Sequence, residues 1–204
     1  MSQIPVRLAV EGYLDEQVLR QLVKQSGKPF TAGVCYGKRG KDHLCDNVKR
    51  FNFAARHVPF IILTDLDNEE CSPGLIKRLL PESRSQNLLL RVAVHEVEAW
   101  LLADRQRMAE FLGVPAAKIP SQPDDCKDPK TVLVGLARMS RRRDIRDDLV
   151  PAHLSTSKVG KNYTGRLTQF VTTKWRVNGL ARKNSPSLDK ALQALEQFSP
   201  TIVK

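Results

Sequence analysis

The run Val58-Pro59-Phe60-Ile61-Ile62-Leu63-Thr64 is apolar almost without interruption, rich in β-formers, and stops abruptly at Asp65-Leu66-Asp67-Asn68. A strand that is apolar at successive positions has no solvent face, so it belongs inside a sheet covered on both sides. Three further runs are strand candidates: Val6 to Val10, Thr31 to Tyr36, and Asn87 to Val94. Between them, apolar residues recur at helical spacing. Leu14, Val18, Leu19, Leu22 and Val23 predict a helix over roughly 13–25. Leu44, Val48, Phe51 and Ala55 predict a second over 42–56, and Pro73 to Leu80 a short third with proline near its first turn. A fourth runs through Ala99, Trp100, Leu101 and Leu102. Parallel strands need crossovers, so this alternation predicts an α/β fold with a parallel sheet.

The rhythm breaks over 114–130, where Pro115, Pro120, Pro123 and Pro129 with Asp124 and Asp125 predict a linker. Beyond it, 131–139, roughly 160–175 and 188–198 read as helices, with no strand alternation. The expected organisation is an α/β core over 1–113, the linker over 114–130, and a helical region over 131–204 packed on the core.

Charge follows the same division. Residues 1–126 carry 17 basic and 16 acidic side chains, whereas 127–204 carry 16 and 6, so nearly all of the +11 net charge lies in the last part. Such a surplus favours polyanions through counterion release, and equally makes a solubilising surface. No apolar run approaches the roughly 20 residues that span a bilayer. Met1-Ser2-Gln3-Ile4-Pro5 lacks the look of a secretory signal. Cys35, Cys45, Cys71 and Cys126 form no Cys-x-x-Cys pair, and are expected as reduced, small core residues of a cytoplasmic protein.

In an open parallel sheet, chemistry collects at the carboxyl ends of the strands. Three of the four strand candidates finish on acids: Glu11, then Asp65 and Asp67, then Glu96 and Glu98, with Asp15 four residues after Glu11. Neighbouring strands lie about 4.8 Å apart, so such acids can converge. Crowded carboxylates raise one another's pKa unless a cation neutralises them, and hard oxygen donors select magnesium, manganese or calcium over zinc. Each acid also has a plainer role. Asp67-Asn68 suits a turn or cap, and Glu96 and Glu98 complement a helix dipole. Three acidic strand tips in one βα pattern favour the cation site. His95 reads as a junction cap or a member of that site. Trp175, between Lys174 and Arg176, reads as a helix anchor or a base-stacking platform. Gly-x-Gly-x-x-Gly and Gly-Lys-Ser/Thr phosphate loops are both missing.

Glu11-Gly12-Tyr13-Leu14-Asp15-Glu16, the strand into Asp65-Leu66-Asp67, and Val94-His95-Glu96-Val97-Glu98-Ala99-Trp100-Leu101 resemble the three acidic motifs of a TOPRIM domain. That fold is shared by type IA and II topoisomerases, bacterial primases and the overcoming-lysogenisation-defect nucleases. The His-Glu-x-Glu-Ala-Trp element, with Asp128-Pro129-Lys130, Lys161-Asn162-Tyr163 and Asn184-Ser185-Pro186-Ser187-Leu188, is similar to a narrower TOPRIM-like set, the domain-of-unknown-function 4276 family. The resemblance implies a TOPRIM/Rossmann-like sheet and a magnesium- or manganese-dependent nuclease, with a place in phage defence. It implies Glu11 as metal ligand or general base, Asp15 as a second acid beside it, Asp65 and Asp67 as the Asp-x-Asp pair, and Glu96 with Glu98 as the acids after the fourth strand. Lys161 or Arg182 would neutralise developing charge. Lys38, Arg39, Lys41, Lys158, Lys161, Arg166, Arg182 and Lys183 are the candidate nucleic-acid contacts. The competing expectations are a non-catalytic subunit partnered by a separate ATPase, and a phosphotransferase. The last fits less well, because it calls for an aspartate where Glu11 stands. Oligomerisation stays open.

Overall fold

The computed structural model describes residues 3–80 and 83–201, and the chain is α/β as the alternation predicts. Strand β1 (Ile4–Val10) leads to α1 (Tyr13–Gln25), β2 (Phe30–Gly37), α2 (Lys41–Ala54), β3 (Phe60–Asp65), α3 (Ser72–Leu79) and β4 (Leu88–Ala93). All paired strands are parallel, in the order β2-β1-β3-β4. The chain divides into two compact units, one holding the described residues up to Val94 together with those from Lys190 onward, the other His95–Asp189.

The strand order explains the layers of the first unit. The step from β1 to β2 goes one way along the sheet; the step from β2 to β3 crosses back past β1. Right-handed crossovers in opposite directions put their helices on opposite faces. Accordingly Leu44 and Val48 of α2 and Leu75 and Leu79 of α3 share one apolar layer with Phe60, Ile62, Leu88 and Leu90. Helix α1 packs on β1 and β2 and buries Leu14, Val18, Leu19, Leu22 and Val23. Each such burial is worth about 2 kcal/mol. Strand β3 buries Phe60, Ile61, Ile62 and Leu63 on both faces, as its apolar run requires. Strand β2 is an edge and half exposed, with Val34 at the surface. Between β1 and β3 the winding reverses, which makes their carboxyl ends the topological switch point.

The second unit is helical: α4 (Val97–Ala103), α5 (Arg105–Leu112), α6 (Pro129–Arg138), α7 (Arg143–Leu149), α8 (Tyr163–Thr173), α9 (Gly179–Asn184), and the start of α10 (Pro186–Gln197). All seven residues of α4 are buried, and α5, α6 and α9 pack against it. The compact units part at Val94/His95, so these packing contacts lie within the second unit. The 114–130 stretch is not a loose linker. Ile119 and Pro123 are buried, and Asp124 accepts from Ser185 Oγ at 2.6 Å and from the Ser187 amide at 2.8 Å. Trp100 Nε1 donates to Ser187 Oγ at 2.7 Å, and Trp175 Nε1 donates to the Trp100 carbonyl at 3.2 Å. Trp175 is fully buried and serves as an anchor, with no face open to a base. The cysteines are free thiols, and none is the buried core residue expected: Cys35, Cys45 and Cys126 are half buried, and Cys71 is exposed and caps α3 by accepting from the Gly74 amide. Burial, helped by Glu16, pushes the Cys35 thiol up to about 12. No helix among the described residues is long and apolar enough to cross a membrane.

Candidate functional site

Glu11 follows the last residue of β1, beside the end of β3. Its Oε1 accepts the Asp65 amide at 2.8 Å and a close hydrogen bond from the Thr64 hydroxyl. Burial, the largest influence, lifts the Glu11 carboxyl above its ordinary range with help from the charge of Asp67. The two hydrogen bonds and Lys41 pull the other way and only partly offset it. A carboxyl whose ionised form is disfavoured in this way is a mark of functional sites.

The turn after β2 closes over this corner. Gly37 has φ 88°, and a Cβ there would stand 2.1 Å from the Val10 carbonyl oxygen, so only glycine fits. Lys38 N then donates to the Val10 carbonyl and Gly40 N to that of Glu11, each at 3.0 Å. The turn delivers Lys41, the first residue of α2, to the end of β3. Its Nζ donates to the Asp65 carbonyl (3.0 Å), the Leu66 carbonyl (3.2 Å) and Asp67 Oδ2 (2.7 Å). Asp67 itself has φ 50°, a left-handed turn that aspartate tolerates. Lys41 and Asp67 line an open cavity of ≈ 600 Å³ with Asp42, Asp46, Glu69 and Arg78.

Asp15 is buried, and its Oδ2 lies 2.8 Å from where a Gly12 Cβ would stand, folded back on the start of α1. Its neighbour Glu16 is held by Arg20 at 2.8 Å and Lys38 at 3.1 Å. Burial pushes Glu16 up, but these two cations more than reverse it and leave it below its ordinary value.

Glu96 and Glu98 belong to the second unit and have their own partners. Glu96 accepts from the Lys130 amide (3.0 Å) and from Lys130 Nζ (2.6 Å), and Tyr163 donates its hydroxyl to Glu98 at 3.1 Å. Lys130 Nζ also lies 3.7 Å from Glu98. Burial and the charge of Glu98 push the Tyr163 phenol far up, so it stays a proton donor. Asp128 caps α6 through the Thr131 amide at 2.7 Å, and although burial pushes it up, Thr131 with Lys158 and Lys130 keeps it low. Hence His95-Glu96-Val97-Glu98, Asp128-Pro129-Lys130 and Tyr163 are one cluster, though dispersed in sequence. Neither Lys130 nor Tyr163 has a role in the sequence reading; their clustering near the acids is a tertiary fact. His95 sits at the junction with φ 60°, half buried.

The basic candidates separate into two kinds. Lys38, Arg166 and Arg182 are committed to carboxylates: Glu16, then Asp148 with Asp144, then Asp189. Lys158, Lys161, Arg39 and Lys183 are exposed. Lys161 lines a cavity of ≈ 470 Å³ with Arg138 and Arg146, and Lys158 lines one of ≈ 710 Å³ that shares Arg138. Arg138 and Arg146 are not among the expected nucleic-acid residues, since neither stands out from the surrounding charges. Exposed bases around a cavity can take the phosphates of a polyanion.

The chain matches no protein-family model, no curated protein and no solved structure. Among the described residues, no three His, Cys, Asp or Glu side chains converge closely enough to hold a metal ion by themselves. Glu11, Asp65 and Asp67 offer only oxygen donors, the kind that a hard cation takes, and the Lys41 ammonium rests on the Asp65 and Leu66 carbonyls and the Asp67 carboxylate.

Proposed function

We propose that the chain is a TOPRIM-type nuclease, dependent on magnesium or manganese, that hydrolyses phosphodiester bonds of DNA or RNA, with a role in phage defence. The observation that carries this reading is the meeting of Glu11 with the end of β3 at the switch point of a parallel sheet, with Asp65 and Asp67 following at once. Glu11, Asp65 and Asp67 would hold the cation, with Asp15 close by at the start of α1. The bound ion supplies Lewis-acid polarisation of the scissile phosphate and activation of water. Glu11, lifted by burial, is suited to take a proton from the attacking water, while Thr64 and the Asp65 amide fix its Oε1. In the second unit, Lys158 and Lys161 would grip the backbone of the nucleic acid.

Asp65→Ala is the direct test, because it removes the carboxylate and keeps the backbone amide on which Glu11 depends. With magnesium or manganese, the purified chain is expected to nick or degrade DNA or RNA, and the variant to lose all activity. Equal cleavage by both sinks the reading.

A second reading has its own support. Lys41 pairs with Asp67 and Lys130 with Glu96, as they would if the acids were structural and the chain were the non-catalytic subunit of a complex with a separate ATPase. Wild-type chain that is inert alone with either cation, and acquires no metal-dependent cleavage with a partner ATPase, favours this alternative.

A further inference from the structure

The acids at the ends of β1 and β3 come with their own cation. An ammonium has three N–H donors, and the three of Lys41 meet three oxygens at 2.7 to 3.2 Å: two backbone carbonyls at the end of β3 and one carboxylate. Those are the hard donors that a magnesium or manganese ion would take. Lys41 also lowers the Glu11 carboxyl, so its charge acts on both acids. A second, doubly charged cation placed among the same oxygens would stand against the ammonium in a half-buried corner, where like charges repel more strongly than in water.

We propose that Lys41 is a built-in counter-ion that competes with the divalent cation for the strand-end acids, so that metal binds only when Lys41 Nζ leaves Asp67. This rests on the reading that those acids hold a cation. The side chain is free to make the exchange: it is a flexible four-carbon stem, about a fifth exposed, and it borders the open ≈ 600 Å³ cavity. Asp42, Asp46 and Glu69 line that cavity and offer the displaced ammonium other carboxylates. The glycine turn, by folding onto Val10 and Glu11, sets where the stem begins, so the competition is built into the link between β2 and α2.

The test is a manganese titration of the full chain at neutral pH, following the paramagnetic resonance signal of free manganese, with no nuclease assay involved. Wild type, Lys41→Met, Lys41→Gln and the double variant Glu11→Gln/Lys41→Met are compared. Both single variants are expected to bind manganese about tenfold more tightly than wild type, the size of an ordinary coupling between two ligands. The double variant is expected to lose that gain. Equal affinity in wild type and both single variants, with weaker binding in the double variant, overturns the competition and leaves the cation site standing. Absence of binding in every variant overturns the cation site itself. Should Lys41→Met lose its helical circular dichroism, Lys41→Gln, which keeps a polar end, decides the comparison.

Discussion

The backbone amide of Asp65 donates to Oε1 of Glu11 at 2.8 Å, so the first strand-end acid of the chain is aimed by the backbone of the second. The bond joins the tips of two adjacent parallel strands, and it survives any change of the Asp65 side chain. It also means that Glu11 is not positioned by charge. What holds it are two neutral donors, Thr64 and the Asp65 amide, and a glutamine in its place would still offer them an oxygen.

Glu11→Gln is therefore expected to abolish cleavage while stabilising the fold by up to about 1 kcal/mol, as substitutions that relieve a strained functional group do. The sign follows from the raised carboxyl. A raised pKa means that the folded state prefers the protonated form, so stability from this group is full below the ordinary glutamate value and is lost as pH rises through the folded value. The gap between wild type and variant should accordingly be clear at neutral pH and close in acid. Urea melts of both proteins across that range measure it; a variant less stable than wild type at neutral pH contradicts the assignment.

Gly37→Ala is expected to cost at least about 2 kcal/mol, since φ is positive there and a Cβ would collide with the Val10 carbonyl. The damage should reach beyond stability. The same turn carries Lys41 to Asp67, so manganese affinity should shift together with the melting temperature. Gly135→Ala is the contrasting case: it lies inside α6, where a Cβ meets nothing within 4 Å, so it should raise the melting temperature slightly, by up to about 1 kcal/mol of helix propensity, and leave manganese affinity unchanged.

Asp124→Ala is expected to destabilise the second unit by about 1–3 kcal/mol, because the Ser187 amide and the Ser185 hydroxyl would lose their acceptor in a buried corner. Asp124→Asn, which keeps one acceptor, should recover part of the loss in thermal melts. Loss of nuclease activity with unaltered melting would instead give Asp124 a role the packing does not indicate.

How legible the molecule is in its sequence depends on the element. Strand β3 is plain, since burial on both faces leaves a run of apolar residues that few other structures explain. Helices α7 and α9 are invisible there: Arg143–Leu149 has only Ile145 and Leu149 as buried apolar positions, too few to show a period. The acids of the site can be read because strand ends announce them. Their partners cannot. Lys41 meets Asp67 across 26 residues and Lys130 meets Glu96 across 34, separations set by a turn and by helix packing that no local pattern records. Asp124 is hidden for a different reason: in a proline-rich stretch, aspartate already has an explanation as a turn former.

The basic side chains give the last prediction, because the structure divides residues that look alike in the sequence. Lys158→Ala/Lys161→Ala is expected to weaken binding to duplex DNA or RNA and to lower the slope of log affinity against log salt, by about 0.9 for each phosphate of duplex DNA that is no longer neutralised. The melting temperature should stay as it was, since both side chains are exposed. Arg166→Ala should do the reverse. Arg166 holds Asp148 at 2.6 Å and Asp144 at 3.1 Å, and through its hydrogen bond keeps Asp148 below the ordinary aspartate value. A depressed carboxyl contributes stability above its unfolded pKa and loses it as pH falls through the folded value. Arg166→Ala should thus melt lower than wild type at neutral pH, match it in strong acid, and bind polyanions with little change in salt slope. Filter binding over a salt series and melts over a pH series separate the two classes; a steep fall in salt slope for Arg166→Ala would move it to the side of the nucleic-acid contacts.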